Sequence, residues 1–556
     1  MDSLAQKKEE EFGISERKLE IPLSQKVLRG LWLGFLVLVL FLFGKTFQLQ
    51  ILEGQAYARQ SAENRFVIRQ VQAQRGVIYD KNLNQLVFNK PSFDFVCDGE
   101  TMAENLDHQS LIIYETKIDE YPGCEINNNT AREYLPGSAF SHVIGYQRET
   151  GEKTGLEEYY DAVLRAKAGE MQITRDVYGN PIAKEVVSQP SSGQSLVLHL
   201  DAGLQKKLNQ VLDSAIRSIG AKSGAAIALN PKTGGILALT SFPNFDNNLF
   251  SQGMSQEDWQ DLNNNPYQPL FNRVIAGEYP IGSTIKPLIA AAGLEENLIS
   301  PDKSILCQGL IEVEHQYDPE IVYKFHDWTT HGWTDLRQAI ARSCNVYFYR
   351  LGGGYEDQTG LGPSRIKKYL EFFGWGETTQ IDLRGEAEGL IPDPDWKKEV
   401  IGEPWWDGDT YYLAIGQGYI LATPLQVAAA FGAIANGGIL YQPQIVQRVL
   451  DGEEKQPQVI RENFIDPENL QIVREGMREA VVYGSSVLLN SLPVQAAAKT
   501  GTAQTGQEEV YHNWVTVFAP YQDPEIVLTV LIENVRGLQS AVLPVAQTVL
   551  NWYFSP

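Results

Sequence analysis

Residues 271–293 read FNRVIAGEYPIGSTIKPLIAAAG. Within this stretch Ser283 and Lys286 stand three positions apart, so a helix brings their side chains onto one face, one turn from each other. A serine hydroxyl is a poor nucleophile at neutral pH, and a neutral amine within reach of its proton activates it. The surroundings suit that chemistry. Pro280 and Gly282 mark a helix entry, and the apolar run after Lys286 buries the amine, which disfavours its charged form. Spacing alone does not single the pair out, because Ser15/Lys18, Ser300/Lys303 and Ser364/Lys367 repeat it. Those three lack the Pro-Gly entry and the apolar helix behind it.

Two downstream motifs share that context. Ser343-Cys344-Asn345 is the only Ser-x-Asn of the chain and follows the amphipathic stretch DLRQAIAR, which places it at a helix end. There a hydroxyl relays a proton and an amide orients Lys286. Lys-Thr-Gly occurs three times. Lys232-Thr233-Gly234 reads as a hairpin turn and Lys153-Thr154-Gly155 as a charged loop, whereas Lys499-Thr500-Gly501 follows QAAA and continues into Thr502-Ala503-Gln504 as a strand. A glycine on a strand lets a ligand approach its edge, a lysine holds a carboxylate, and free backbone N–H groups stabilise an oxyanion.

The chain has 556 residues, 43% of them hydrophobic, enough for two or three domains with sizeable cores. Its net charge of −23 excludes a phosphate-tracking surface, so nucleic acid is not an expected partner. Arg29 and Lys45 bracket fifteen uncharged residues, GLWLGFLVLVLFLFG, and the apolar character resumes through Leu52. This reads as a retained membrane anchor over 30–52 rather than a cleaved signal peptide, since the nearest Ala-x-Ala, Ala56-Tyr57-Ala58, lies past Glu53. Lys26 and Arg29 place residues 1–29 in the cytoplasm and the remainder outside, although Glu9, Glu10 and Glu11 dilute the bias. Four cysteines do not make a disulfide framework; one Cys97–Cys124 bridge is compatible with an oxidising compartment.

Further along, SQPSSGQS at 188–195 has the composition of a linker. DAGLQKKLNQVLDSAIRSIG reads as an amphipathic helix with Leu204, Leu208, Val211, Leu212 and Ile216 on one face. GAAIALNPKTGGILALTS reads as a hairpin, and AAAKTGTAQ, HNWVTVFAPY and EIVLTVLIE as late strands, with LPVAQTVLNWYF as a last helix. Two early and three late strands with helices between predict an α+β fold, an antiparallel sheet covered on both faces.

The order Ser283/Lys286, Ser343/Asn345, Lys499-Thr500-Gly501 resembles the motif set of penicillin-binding proteins and serine β-lactamases. With the anchor, Arg75-Gly76-Val77-Ile78-Tyr79-Asp80 and Gly155-Leu156-Glu157, the chain resembles a class B penicillin-binding protein. Pro404-Trp405-Trp406-Asp407-Gly408-Asp409-Thr410, running into Gly416-Gln417-Gly418, is similar to the elongation type, penicillin-binding protein 2. The family often carries Asp where Asn345 stands, and Asp80-Lys81 replaces a more usual Asp-Arg.

The resemblance implies a transpeptidase domain over 195–556 on a β-rich, elongated pedestal over 53–190. It also implies a D,D-transpeptidase that cross-links peptidoglycan stem peptides through a Ser283 acyl-enzyme. Lys286 is then the base, Ser343 and Asn345 relay and position, and Lys499 and Thr500 bind the terminal carboxylate. Gly501 gives access at the strand, and the N–H groups of Ser283 and Thr502 form the oxyanion hole. No cofactor is required for that chemistry. Implied partners are stem peptides, β-lactams, a SEDS-type membrane polymerase and other elongation-complex proteins, with the catalytic domain outside the cytoplasmic membrane. A division-type member and a non-catalytic activator of the polymerase are the alternatives; a β-lactamase is disfavoured by the anchor and pedestal. Cys307, Asp327, His331 and Cys344 offer two thiols, an imidazole and a carboxylate, a set suited to structural zinc, with His326 a substitute for Asp327. The rival reading is two unpaired thiols and a surface histidine. Trp405, Trp406 and the tyrosines are expected to pack as core and wall.

Overall fold

The computed structural model describes residues 24–555 except 98–99, 136, 149–150, 177–179, 316–317 and 538–540. Residues 1–23 of the expected cytoplasmic tail, with the Ser15/Lys18 pair, lie outside the described residues. Two compact units emerge, one of residues 1–71 with 168–190 and one of 72–167 with 191–556.

In the first unit a helix runs over Gln25–Phe47 and continues as a π-helical turn over Gln48–Leu52. Ser24 caps it by accepting the Val27 N–H, so it begins five residues before the expected Gly30. The span is 28 residues long with no buried residue, and its most apolar 18-residue stretch has a mean hydropathy of 2.3, long and apolar enough to cross a bilayer. Strands Phe66–Val71, Gly169–Arg175 and Pro181–Ser188 form an antiparallel sheet in that order.

The second unit is built on a five-stranded, fully antiparallel sheet. Its order is Ile236–Phe242, Gly224–Leu229, Ile526–Arg536, Val510–Ala519, Ala497–Gln504. Alternation explains why both faces are covered. Ala225, Ile227 and Leu229 of one strand enter the larger core, while Ala226 and Ala228 face the other way. Over the second face lie the Ala202–Ser218 helix, through Leu204, Leu208, Leu212 and Ile216, and the Leu543–Phe554 helix. Lys286–Glu295 and Pro424–Asn436 are buried along almost their whole length in the first core. The antiparallel α+β sheet expected from the strand order is therefore what forms.

A second, mixed sheet joins early and late sequence. Leu196–Leu198 pairs parallel with Ile78–Tyr79 and antiparallel with Val446–Val449. Ile78–Tyr79 also pairs with Gln85–Cys97, which carries Glu100–Leu106 and Cys124–Tyr134. Cys97 and Cys124 face each other in that register and are disulfide-bonded. The linker-like stretch proves to be pinned: Gly193 and Gln194 donate to Gln74 and Val163 carbonyls, and Ser195 Oγ accepts the Val77 N–H. Its Gly and Ser content serves close packing, since a Cβ on Gly193 would sit 1.9 Å from the Leu164 carbonyl oxygen.

Glu157 ties this region together. Its carboxylate is fully buried and receives Arg75 Nε and Arg132 Nε, each at 2.7 Å; Arg75 reaches Asp161 at the same distance. Thus the Arg75-Gly76 and Gly155-Leu156-Glu157 motifs, 82 residues apart, meet in one charge cluster. Removing one member strands buried charge. Glu157→Ala should lower the stability of the second unit by about 3–5 kcal/mol, read as a shifted denaturation midpoint; an unmoved midpoint contradicts the role of this cluster.

Candidate active site

Gly282–Ile285 forms one 3₁₀ turn that feeds directly into the Lys286–Glu295 helix, with Pro287 in its first turn. Ser283 is partly exposed, whereas Lys286 is completely buried. Lys286 Nζ donates to the Ser343 carbonyl at 2.7 Å and to Asn345 Oδ1 at 2.6 Å, with Ser343 Oγ at 3.3 Å. Among the described residues no carboxylate pairs with it. The other Ser-x-x-Lys pairs differ in this respect: Lys303 and Lys367 lie near the surface against Asp357 and Asp393.

Ser343 ends the Leu336–Arg342 helix in the left-handed region, at φ 59°, and Asn345 opens the next helix, Asn345–Gly353. That reversal turns both the hydroxyl and the amide toward Lys286. From the opposite side Lys499 Nζ donates to Ser343 Oγ at 2.9 Å and to the Thr500 carbonyl at 2.8 Å. One serine hydroxyl thus bridges two buried amines. Burial holds both lysines below their usual range, Lys286 at about 8; for Lys286 the charge of Asp327 partly offsets burial, and for Lys499 the charge of Lys286 adds to it.

Lys499, Thr500, Gly501 and Thr502 lie on Ala497–Gln504, the edge strand of the sheet, in register with Thr516 to Asn513. Two glycines let this edge close on the Ser283 turn. A Cβ on Gly501 would meet the Ile281 carbonyl oxygen at 2.7 Å, and one on Gly282, at φ +54°, the Thr502 carbonyl oxygen at 2.5 Å. Trp514 Nε1 donates to the Pro280 carbonyl at 3.0 Å, fastening the turn to the neighbouring strand. Ser283, Ser343, Asn345, Thr500 and Thr502 then line one cleft of about 730 Å³. Lys286, Ser343, Asn345 and Lys499 share a hydrogen-bond network, while the Ser283 hydroxyl has no hydrogen bond among the described residues.

Residues 224–552 match the penicillin binding protein transpeptidase domain, and residues 98–198 the penicillin-binding protein dimerisation domain. The chain belongs to the penicillin-binding protein transpeptidase family. It is 29% identical to the peptidoglycan D,D-transpeptidase MrdA of Haemophilus influenzae, over 94% of this chain and 91% of the relative. To the MrdA of Escherichia coli K12 the identity is 28%, over 94% and 92%. Among solved structures it resembles Helicobacter pylori penicillin-binding protein PBP2 in complex with MreC, with a TM-score of 0.77, 27% identity, and 88% and 99% of the two chains covered. It likewise resembles Pseudomonas aeruginosa PBP2 in complex with WCK 5153, with a TM-score of 0.68, 28% identity, and 87% and 97% covered.

Beside the hydrogen-bond network of Lys286, Ser343, Asn345 and Lys499, Asp327, His331 and Cys344 bring a carboxylate oxygen, an imidazole nitrogen and a sulfur within 4.8 Å of one another. Cys307 Sγ lies 2.7 Å from Cys344 Sγ, and both thiols are buried. His331 is no surface histidine: its side chain is 3% exposed, and its Nε2 is buried without a hydrogen-bond partner, 3.5 Å from Asp327 Oδ1. An orphaned imidazole nitrogen beside a carboxylate and the Cys344 thiol fits a zinc ion, while Cys307 falls outside that trio and touches it only through Cys344. His326 is absent from that cluster and lines the cleft instead. Asp327 also does something spacing did not announce. Its Oδ2 accepts the Asn345 N–H at 2.7 Å and the Val346 N–H at 3.0 Å, fastening the start of the Asn345 helix. Burial opposes its ionisation, but the His331 ring, the Lys286 charge and the Val346 N–H hold it below the usual carboxylate range.

The sequence also leaves unmarked Ser485, whose Oγ accepts from Thr500 Oγ1 at 3.0 Å, and the cleft residues Lys324, Trp328 and Tyr349. No local pattern distinguishes these from ordinary surface residues. The expected wall packing holds for Trp405, which packs on the core and donates to Thr410 Oγ1; Trp406 departs from it, being 53% exposed.

A base must be neutral to accept a proton, and Lys286 is neutral above about pH 8. The acylation rate by a penicillin should therefore rise with pH through about 8 and fall about tenfold per unit below it. A rate flat from pH 6 to 9 would be inconsistent with a lysine base.

Proposed function

We propose that the protein is a membrane-anchored peptidoglycan D,D-transpeptidase of the elongation type that works through an acyl-enzyme on Ser283. The observation that carries this reading is the fully buried Lys286 amine, bonded to two carbonyl-type oxygens and, among the described residues, to no carboxylate, one helical turn from the cleft serine. A neutral amine has two donors and one lone pair. The Ser343 carbonyl at 2.7 Å and Asn345 Oδ1 at 2.6 Å are the close acceptors and Ser343 Oγ at 3.3 Å the weak one, so a neutral Lys286 that keeps the first two has its lone pair for the Ser283 proton.

In the proposed reaction Ser283 Oγ attacks the carbonyl of the penultimate D-Ala and passes its proton to Lys286. The N–H groups of Ser283 and Thr502 receive the oxyanion, while Lys499 and Thr500 hold the terminal carboxylate at the strand edge. Collapse breaks the peptide bond. Ser343, hydrogen-bonded to both amines, relays the proton to the leaving D-Ala nitrogen. An acceptor amine from a second stem then attacks the ester, the steps reverse, and Ser283 is regenerated. A β-lactam presents the same carboxylate and acyl group, so it acylates the same serine.

The same reading assigns residues 1–29 to a cytoplasmic tail, 30–52 to the anchor, 53–190 to a pedestal and 195–556 to catalysis. A polymerase and other elongation proteins are the expected partners. A relative solved in complex with MreC, and a peptidoglycan synthase complex with a TM-score of 0.74, support this. Cys307, Asp327, His331 and Cys344 would hold a zinc ion that clamps the Ser343-Cys344-Asn345 turn from behind.

Ser283→Ala should abolish labelling by a fluorescent penicillin; labelling at the wild-type level would refute the assignment. Elemental analysis should find about one zinc per chain in wild-type protein and little in Cys307→Ser. Metal-free wild-type protein ends the zinc proposal.

A further inference from the structure

Acidic residues outnumber basic ones 69 to 46 in this chain, yet the cleft above Ser283 has no carboxylate among its described lining residues. It does carry Lys324 and His326. Both belong to the Asp318–His326 strand, and being two residues apart they face the same way. Phe325 between them points into the core, where its ring packs on Tyr349, Tyr411 and Tyr412, and this fixes the orientation of the strand. Lys324 pairs across the hairpin with Glu312 at 2.8 Å, but both side chains are half-exposed. Such a surface pair is weak and exchanges readily.

His326 is held more firmly. Its carbonyl accepts the Tyr349 hydroxyl at 3.0 Å and the Asn345 amide at 3.5 Å, and the next residue, Asp327, is bonded to the helix that carries Asn345. The imidazole itself is exposed, and among the described residues no hydrogen bond or ion pair occupies it. A polar tip on an immobilised backbone binds a ligand with little ordering cost. None of the reaction steps above uses this wall.

We propose that His326 and Lys324 form a subsite for a second carboxylate of the stem peptide, one carried by the residue just before the D-Ala-D-Ala end. The enzyme would accordingly discriminate stems with a free side-chain carboxylate at that residue from the same stems amidated there. A carboxylate accepts a charge-assisted hydrogen bond from the Lys324 ammonium and a hydrogen bond from an imidazole N–H of His326, whereas a carboxamide offers a weaker acceptor and an NH2 group that meets the ammonium. The inference rests on the reading of the cleft as a D-Ala-D-Ala site.

The test uses full-length protein in detergent, with fluorescent-penicillin labelling as the signal. The competitors are two synthetic stem pentapeptides ending in D-Ala-D-Ala, one with a side-chain carboxylate on the third residue and one with the matching carboxamide. The carboxylate peptide should halve the labelling rate of wild-type protein at about tenfold lower concentration. His326→Gln should bring the ratio toward one, His326→Arg should retain it, and Lys324→Glu should reverse it. Equal competition in the wild type, competition by neither peptide, or an unchanged ratio in both His326→Gln and Lys324→Glu overturns the subsite. Wild-type protein that takes up no penicillin is a separate failure, seen before any peptide is added, and defeats the transpeptidase reading itself.

Discussion

An amine buried without a counter-ion is the constraint on which this active site depends. Moving Lys286 from its ordinary 10.5 to about 8 corresponds to roughly 3 kcal/mol of bias toward the neutral form. A carboxylate placed against Nζ would erase that bias. The site instead surrounds the amine with the Ser343 carbonyl and Asn345 Oδ1, which solvate it without charging it. The apolar helix behind Lys286 and the left-handed turn at Ser343 follow from that requirement. So does the second buried amine, Lys499, whose charge and that of Lys286 disfavour each other across one shared hydroxyl.

The sheet supplies what the helices cannot. With both faces buried, only the edges remain where backbone groups meet a ligand, and Ala497–Gln504 is the edge beside Ser283. Gly282 and Gly501 let the edge and the nucleophile turn approach until their backbones touch. Asp327 then couples a third element, fastening the hairpin strand to the helix of Asn345. Three elements far apart in sequence meet around one cleft, held by close backbone approach at Gly282 and Gly501 and by the side chains of Trp514 and Asp327.

Much of this was legible before any coordinates. The hairpin around residues 230–235, the amphipathic helix from Ala202 and the three late strands all follow from apolar periodicity and turn residues. What misled was composition without context. SQPSSGQS has a linker's residues, yet its small side chains allow backbone pairing against 74–77 and 163–164. Trp406 belongs to an aromatic-rich stretch that suggests packing, yet it is half in solvent, because its neighbour Trp405 takes the buried position. His326 and Asp327 are adjacent and both polar, yet His326 ends its strand at the cleft while Asp327, the first residue past it, turns its carboxylate onto the Asn345 helix.

The sequence by itself determined the chemistry: which serine, lysines and amide are available, in what order, and that an apolar helix would strip water from one amine. Those properties are local, set by spacing and by neighbouring side chains. Only the tertiary structure decided that among the described residues no carboxylate pairs with Lys286 while its look-alikes Lys303 and Lys367 each have one, and that an acidic chain lines its cleft with a lysine and a histidine and no described carboxylate. These are properties of long-range packing. Desolvation and charge pairing depend on what lies within a few ångströms in space, and no pattern along the chain states that.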